Sequence, residues 1–238
     1  MGKGLGRYQT EGIPEYLARH YWWAYLSPRG VWFFDRYWVI NLILFGHYRR
    51  ILNEVLKRYT ARHAACTLQL TCAYGALTPA LVRAAPDQRL HVMDVARIQL
   101  AATRDKLSSP APVSMAQMDA EALAYATNSF DTVIIFFLLH ELPEEARTRI
   151  LAEVMRVLRP GGRLLIAEYG RNRGRHLLHR CAPLRRLQER LEPFLSGFWH
   201  SDLDASLQSS AANQHKAVYL ESETELLGGY YRVAEYHV

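Results

Sequence analysis

The chain is poor in cysteine and lacks a long apolar run, and both features narrow the possible classes of protein. Its 238 residues include three cysteines, none in a Cys-x-x-Cys pair. We therefore expect a reduced, cytosolic chain without a disulfide framework or a zinc site. The first twenty residues lack the apolar core of a signal peptide. The longest uncharged apolar stretch, Tyr37 to Gly46, is too short to span a bilayer.

Positive charge and apolar residues are, in contrast, abundant. The net charge is +6, which favours an anionic partner such as nucleic acid, phospholipid headgroups or an acidic cofactor. Half of the residues are hydrophobic, enough for a sizeable core. The length fits one α/β domain with additions, or at most two small domains.

The middle of the chain alternates between strand-like and helix-like segments. Strands are predicted at 67–73, 90–95, 131–139 and 163–168, and helices at 78–85, 97–107 and 143–158. The apolar run at 131–139 is typical of a strand buried on both faces of a parallel sheet. This alternation predicts βαβ units, whose ligands bind at the carboxyl ends of the strands.

Three zones follow from this pattern. Residues 1–60 form a predicted aromatic helical segment, which acts as a lid or faces a membrane. Residues 61–169 form a predicted Rossmann-like core. Residues 170–238 are predicted to add a basic amphipathic helix and a terminal strand pair that complete the same domain.

The loop after the first predicted strand is short of glycine. It reads Thr71-Cys72-Ala73-Tyr74-Gly75, where a dinucleotide-binding loop would carry three glycines. Asp94 follows Gly75 by 19 residues, at the end of the second predicted strand. An acid at this distance reaches the two ribose hydroxyls of a nucleotide. The alternative is that Asp94 caps a surface loop.

Three segments resemble the class I S-adenosylmethionine-dependent methyltransferases: 118–123, 128–131 and 156–162. The resemblance covers residues 65–169 and implies a seven-stranded Rossmann-like sheet. It also implies that Gly75 lies at the methionine end of the cofactor, Asp94 at its ribose and Asp119 at its adenine, although Asp119 could instead be a helix N-cap. The cofactor-binding residues predicted in this way are Gln69, Thr71, Ala73, Gly75, Asp94, Val95, Asp119 and Ala120.

The first loop departs from the methyltransferase pattern. Gln69 stands where the family has an acid, and Thr71 and Ala73 replace the first two glycines. Side chains at those positions crowd the approach of the backbone to the cofactor. Without the acid, a negative charge near the cofactor ammonium is lost. We therefore expect the amino-acid end of the cofactor to be held differently, which disfavours ordinary methyl transfer.

A second resemblance covers most of the chain, including its aromatic N-terminus. It rests on the segments 13–17, 21–25, 38–44, 72–78 and 136–141. These are similar to the rhodoquinone-biosynthesis family, methyltransferase-like proteins that convert ubiquinone to rhodoquinone. The resemblance implies replacement of a ring methoxy group by an amino group. It also implies S-adenosylmethionine as amino donor, with a divalent manganese ion (Mn²⁺) assisting.

His140 and Glu141 stand at the end of the strand predicted at 131–139, which places them at the mouth of the predicted site. An imidazole and a carboxylate there can move protons or hold a metal, or else cap the next helix and face water. Tyr74 could contact cofactor or quinone, or fill the space of a missing glycine. We predict His140, Glu141 and Tyr74 as catalytic residues.

A metal site is suggested by residue type only. Asp119, Glu141 and Glu168, together with His140, would suit manganese by ligand type. Glu168 and Tyr169 lie at the end of the strand predicted at 163–168. No spacing singles out one set of metal ligands, so the set stays open.

Two segments have the composition of membrane-contacting elements. Tyr16 to Tyr48 holds 12 aromatic residues, and tryptophan and tyrosine favour the headgroup region. Residues 171–198 repeat apolar side chains at helical spacing, and 171–190 hold seven arginines against one glutamate. The alternatives are helices that pack over the sheet and a solvated basic face. We predict an anionic membrane surface as partner, at the cytoplasmic side, and no nucleic acid.

The sequence thus predicts a peripheral membrane enzyme that aminates ubiquinone to rhodoquinone. One rival is an ordinary methyltransferase acting on a quinone precursor. The other is a non-catalytic methyltransferase-like module that binds lipid or RNA. Retention of Asp94, Asp119 and the His140-Glu141 pair argues against the second rival.

Overall fold

A computed structural model of the chain describes residues 12–72, 74–108, 112–170 and 176–238. Ala73, the first eleven residues of the predicted aromatic segment and residues 171–175 of the predicted basic helix lie outside the described residues.

The described residues form one mixed sheet of seven strands. The strands are β1 (Cys66–Leu70), β2 (Arg89–Asp94), β3 (Val113–Gln117), β4 (Phe130–Phe136), β5 (Leu158–Tyr169), β6 (Tyr219–Leu226) and β7 (Tyr231–His237). Their order is β3-β2-β1-β4-β5-β7-β6. This arrangement confirms the predicted fold class, since the terminal strand pair completes a Rossmann-like core.

The register of the sheet brings its functional loops to one edge. β1 runs parallel to β2 and β4, β2 is parallel to β3, and β4 is parallel to β5. β7 runs antiparallel to both of its neighbours, β5 on one side and β6 on the other. The loops after β1 to β5 therefore meet at the carboxyl edge of the parallel strands, where ligands of such sheets bind.

The core lies on the central strands and the helices that cover them. Leu68, Val133, Ile134 and Leu165 are fully buried, as expected of strands covered on both faces. The covering helices are α4 (Tyr48–Ala61), α5 (Leu77–Ala84), α6 (Arg97–Asp105), α7 (Glu144–Val157) and α11 (Leu203–Ala212). Each of them has buried residues along its length.

From residue 12 onward, four short helices precede α4, and we call them the aromatic cover. They are α1 (Glu15–His20), a π-helix (Trp22–Leu26), α2 (Pro28–Phe34) and α3 (Tyr37–Ile43). Ser27 caps α2, whose first residue is Pro28, a residue favoured at that position. Gly30 lets α2 touch the π-helix, because an added Cβ would lie 1.9 Å from the carbonyl oxygen of Trp23.

Two predicted elements end differently in the structure. The predicted strand at 131–139 stops at Phe136, where Phe137 takes a positive φ of 51°. A short 3-10 helix, Leu139–Glu141, follows because backbone amides there turn toward Glu168. The strand predicted at 163–168 is longer in the structure, since β5 begins at Leu158, and β3 was not predicted.

The predicted single basic helix is wrong in its continuity. Its described part is divided into α8 (Leu177–Arg180), α9 (Ala182–Leu191) and α10 (Leu195–His200). Pro183 lies in the first turn of α9, and Pro193 follows its C-terminus. Proline cannot continue a helix from the preceding residues, so each proline separates two helices.

Candidate active site

A cavity of about 480 Å³ lies at the carboxyl edge of the parallel strands, under the aromatic cover. Its volume is in the range of small-molecule and cofactor sites. The strand-end residues that line it are Thr71, Cys72, Asp94, Val95, Ala96, Met118, Asp119, Ala120, Phe137, Leu138, His140, Glu141 and Tyr169. The remaining walls come mainly from the cover, together with Tyr74, Gln99, Leu142, Ile150, Leu191 and Glu192.

Most of the predicted site residues come together in this cavity. Thr71, Tyr74, Asp94, Val95, Asp119, Ala120, His140 and Glu141 all line it. Gln69 and Gly75 do not belong to the lining, and the contacts given below show why. The predicted functions of the lining residues remain predictions, which their shared location supports.

Asp94 both caps loops and faces the cavity. Its Oδ2 accepts a hydrogen bond from the amide of Cys72 at 2.8 Å, and its Oδ1 accepts one from the amide of Ala96 at 2.8 Å. Burial raises the pKa of Asp94 to about 6, although the two amide donors oppose that rise. Each carboxylate oxygen keeps a second lone pair, which can accept a hydroxyl hydrogen bond.

Asp119 lies after β3 at the neighbouring strand end. Its Oδ1 accepts the amide of Glu121 at 2.9 Å within a turn, no helix begins there, and the residue lines the cavity. Together with Asp94 and the apolar Val95 and Ala120, it forms an acidic, partly apolar wall. This donor and acceptor set fits the adenosine half of S-adenosylmethionine, a ribose with hydroxyl donors and an adenine with an amino group.

The loop after β1 is stabilised from inside. Thr71 adopts a φ of 69°, in the left-handed region that favours glycine. Gln69, which is fully buried, donates from its amide nitrogen to the carbonyl oxygen of Thr71 at 2.8 Å. Its amide oxygen accepts the hydroxyl of Thr78 at 2.9 Å. Gln69 therefore acts within the loop, and its predicted contact with the cofactor is not supported by its position.

Gly75 connects the loop to the aromatic cover. Its amide donates to Asp35 Oδ1 at 2.7 Å, and Lys106 Nζ bridges Asp35 and the carbonyl oxygen of Gly75. Its φ is 83°, and an added Cβ would lie 2.4 Å from the hydroxyl of Tyr48. Gly75 is thus required by the approach of Tyr48, and its predicted place at the cofactor is not supported.

Tyr74 forms part of the cavity wall and is fixed by protein contacts. Its ring stacks on Tyr25 with centroids 5.2 Å apart and an interplanar angle of 12°. Its hydroxyl donates to the carbonyl oxygen of Ala24 at 2.7 Å and accepts from Gln99 at 3.1 Å. The hydroxyl already donates one hydrogen bond to the protein and accepts another. The structure therefore favours a wall-forming role for Tyr74 over the predicted catalytic one.

His140, Glu141, Glu168 and Glu192 form a buried group that we call the His140 cluster. Glu168 is fully buried and accepts the amides of Leu139 and Tyr169 at 2.9 and 2.8 Å. Its Oε1 also lies 2.7 Å from His140 Nδ1. These contacts fix the imidazole ring, so that Nε2 lies 3.4 Å from Glu192 Oε2.

The charges of this cluster favour a protonated histidine. Burial lowers the pKa of His140, but the carboxylates of Glu168 and Glu192 outweigh burial and raise it to about 10. Burial raises the pKa of Glu141 to about 8, while His140 and a hydrogen bond from Tyr25 oppose the rise. At neutral pH, His140 is therefore an imidazolium that can donate a hydrogen bond from Nε2.

Sequence reasoning missed Glu192 and, among the tyrosines near the N-terminus that reach the site, Tyr21 and Tyr25. Glu192 is the C-cap of α9, and burial raises its pKa while His140 opposes that rise. Tyr21 and Tyr25 line the cavity from the π-helix and the turn before it. The only sequence signal for Glu192 was an acid in a basic segment, which by itself indicates nothing about a partner.

The expected manganese ion finds no ligand set in the described residues. No group of three His, Cys, Asp or Glu side chains in that part of the chain is arranged to hold a metal ion. Both oxygens of Glu168 already accept backbone amides and the imidazole. The donor set of the His140 cluster thus does not fit Mn²⁺, and we derive no step through a metal.

An exposed apolar surface borders the cavity. Trp32, Trp38 and Leu42 of the cover are 64%, 60% and 70% exposed. Trp23, Ile43 and Leu191 are partly exposed and also line the cavity, so its mouth opens within this surface. In the ranges that the structure describes, no helix has the length and apolar character needed to cross a membrane.

Comparison with known proteins is consistent with this geometry. Residues 67–162 match the family profile described as a methyltransferase domain. The ubiquinone/menaquinone biosynthesis C-methyltransferase of Dinoroseobacter shibae is 31% identical over 142 residues, which are 57% of this chain and 55% of that protein. Its counterpart in Bordetella parapertussis is 32% identical over 140 residues, 58% of this chain and 54% of that protein. The chain thus spans about half the length of the curated relatives it matches.

Solved structures show the same fold. The PH0226 protein of Pyrococcus horikoshii superposes with a TM-score of 0.59 at 20% identity, covering 81% of this chain and 91% of that one. The N-methyltransferase NodS of Bradyrhizobium japonicum, in complex with S-adenosyl-L-homocysteine, gives 0.54 at 18% identity, covering 79% and 86%. Residues 67–162 thus match a methyltransferase-domain profile, and the chain shares its fold with these solved structures.

Proposed function

We propose that this chain is an S-adenosylmethionine-dependent transferase that acts on the ring of a polyprenyl quinone. We further propose that it replaces a ring methoxy group with an amino group and so converts ubiquinone to rhodoquinone. One observation carries the proposal: a buried histidine held among three carboxylates shares one cavity with Asp94 and Asp119, and the mouth of that cavity opens at an apolar surface.

Asp94 and Asp119 would hold the adenosine half of the cofactor, with Val95 and Ala120 beside the adenine. When bound, S-adenosylmethionine would supply the transferred group, which the family resemblance implies is its amino group. Gln69 supports this choice, since it places an amide where related loops have an acid. A neutral amide does not stabilise the protonated form of the cofactor amine as a carboxylate would.

His140 would act on the quinone ring. Glu168 fixes the imidazole at Nδ1, so the Nε2 proton is available to a ring oxygen in the cavity. A donor held in place in a buried site can hydrogen-bond to such an oxygen and orient the ring. Tyr25, Tyr74 and Phe34 would form the flat aromatic walls against which the ring packs.

The apolar mouth would face a membrane. Trp38 and Leu42 project from α3, and Leu187 and Leu191 project from α9, whose polar face carries Arg186 and Arg190. Tryptophan, leucine and arginine in this combination favour the headgroup region of an anionic bilayer. A polyprenyl tail could then stay in the lipid while the ring enters the cavity. We propose peripheral association with the cytoplasmic face of the membrane on this basis.

Methyl transfer to a quinone precursor is the second candidate function, and the relatives named above favour it. One experiment separates the two. Purified protein would be incubated anaerobically with a short-chain ubiquinone or its hydroquinone and S-adenosylmethionine, with and without manganese. The cofactor would carry heavy nitrogen in its amino group or deuterium in its methyl group.

Amination predicts a product that gains heavy nitrogen and loses a methoxy group. Deuterium in the product, without nitrogen, would instead establish methyl transfer. His140→Gln should lower the yield strongly, whereas His200→Gln, which changes an exposed histidine of α10, should not. No labelled product from any quinone would contradict both candidate functions.

A further inference from the structure

Two buried oxygen atoms lack a hydrogen-bond partner in the described protein and belong to residues that line the cavity. They are the hydroxyl of Tyr21 and Oε2 of Glu192. Nε2 of His140 faces the same space, 3.4 Å from Glu192 Oε2 and 4.0 Å from Glu141 Oε1. Buried polar groups in native proteins are nearly always paired, so this group indicates where a polar ligand atom binds.

Most of the neighbouring carboxylate oxygens are already engaged by protein groups. Glu168 is saturated by backbone amides and by His140 Nδ1. Glu141 accepts the hydroxyl of Tyr25. The other oxygen of Glu192, Oε1, lies 3.4 Å from the hydroxyl of Tyr169, which leaves Oε2 for a ligand.

The donor and acceptor roles of the subsite define the ligand atom. A carboxylate only accepts hydrogen bonds, so Glu192 Oε2 requires a ligand that donates one. His140 Nε2 donates and requires an acceptor. A quinone oxygen can serve His140 but not Glu192, because it carries no hydrogen. A ring hydroxyl serves both, since its hydrogen points to Glu192 and its oxygen accepts from His140.

Tyr21 fits the same ligand atom. Burial and the carboxylates of Glu141 and Glu192 raise the pKa of Tyr21, so its hydroxyl keeps its proton and remains a donor. A hydroxyl oxygen has two lone pairs and can accept from Tyr21 as well as from His140. The three residues together match the one donor and two acceptor sites of a ring hydroxyl.

We propose that His140, Glu192 and Tyr21 form a binding subsite for a ring hydroxyl, so that the cavity selects the reduced, hydroquinone form of its substrate. This inference rests on the proposed function for the identity of the ring. Glu192 reaches the subsite from the C-cap of α9, the basic segment beside the apolar mouth. The same segment therefore borders the surface proposed to face the membrane, and its Glu192 distinguishes the reduced ring from the oxidised one.

Calorimetry with three tail-less ligands tests the inference under anaerobic conditions. They are 2,3-dimethoxy-5-methylhydroquinone, the corresponding quinone, and the hydroquinone dimethyl ether, which lacks both hydroxyl hydrogens. The wild-type chain should bind the hydroquinone about tenfold or more tightly than the other two, as expected for a hydrogen bond to a charged group. Glu192→Gln should remove about tenfold of the hydroquinone affinity and leave quinone affinity unchanged.

Glu189→Gln is the matched control, because Glu189 lies one turn earlier on α9 and pairs with Arg185 outside the subsite. It should leave all three affinities unchanged. Tyr21→Phe should lower hydroquinone affinity by a smaller factor, and it carries the test if Glu192→Gln fails to fold. Preference for the quinone, an equal loss for all three ligands, or no loss in either variant would overturn the inference. Selective hydroquinone binding without any labelled product would contradict the proposed function but not the subsite.

Discussion

Glu168→Gln should lower the pKa of His140 from its value of about 10 while keeping the imidazole in place. The substitution removes the charge that lies 2.7 Å from Nδ1. A hydrogen bond to a charged group is worth roughly 1.5–3 kcal/mol. Since one pKa unit equals about 1.4 kcal/mol, the expected fall is about one to two units.

The distances in the cluster also predict an order among variants. Glu192 lies 3.4 Å from Nε2 and Glu141 lies 4.0 Å from it, so Glu192→Gln and then Glu141→Gln should shift the pKa less. Glu189→Gln, outside the cluster, should not shift it. Imidazole NMR titrations would measure the values, with His140→Gln identifying the resonance among ten histidines.

The same variant has a stability signature with a defined sign. The folded pKa of His140 lies above its ordinary value of 6.5, so its contribution to stability is present below about pH 6.5 and is lost as the pH rises through about 10. In the Glu168→Gln variant, His140 loses its proton at a lower pH. The loss of its stability contribution should therefore be complete at a lower pH. The substitution should also cost about 1–3 kcal/mol, because the amide nitrogen cannot accept the backbone amide of Leu139 or Tyr169. An unchanged or raised pKa would refute the assignment of Glu168 as the dominant charge.

Three further outcomes follow from the loops and the surface. Thr71→Gly should raise the free energy of unfolding by about 1 kcal/mol in urea titrations, because a φ of 69° is strained for threonine and free of strain for glycine. A lower free energy of unfolding would show that the threonine side chain contributes more than its backbone strain costs. Asp94→Ala should weaken S-adenosylmethionine binding about tenfold or more in calorimetry, and should also destabilise the fold by about 1–3 kcal/mol, since two buried amides lose their acceptor; unchanged affinity would remove the ribose assignment. The double change Trp38→Ser and Leu42→Ser should reduce flotation with phosphatidylglycerol vesicles, whereas Leu220→Ser, on an edge strand, should not. Equal flotation of all variants would place the membrane contact elsewhere.

The sequence predicted the fold well, and most of the site residues that it indicated line the cavity. The buried run of β4 and the alternation of strands and helices were sufficient for the parallel core, because periodicity is a local property of the chain. Asp94 and Asp119 were found because each follows a strand end, where the topology brings ligand-binding residues together. Residue type alone suggested a metal site, which the arrangement of the described acids does not support.

Two of the differences from the sequence predictions concern conformations that no local pattern records, and a third, the break in the basic segment, is local. Thr71 adopts a φ of 69°, which favours glycine. The loop therefore keeps a glycine-like backbone, at the cost of strain, in spite of the threonine side chain. Gly75 lies against Tyr48, a residue of α4 that stands 27 positions earlier in the chain, and this contact requires a glycine. The basic segment broke at its prolines, whose effect on a helix is local and could have been predicted from the sequence.

The chain by itself therefore determined the order of strands and helices, the buried faces and the aromatic character of the cover, since these depend on spacing between near neighbours. Only the tertiary structure decided which side chains share the cavity. Tyr25 meets Glu141 across 116 positions of sequence, and Glu192 reaches His140 from a different helix. Such pairs form because the sheet edge, the cover and α9 converge in space, and a residue's type and neighbours in the chain carry no record of that convergence.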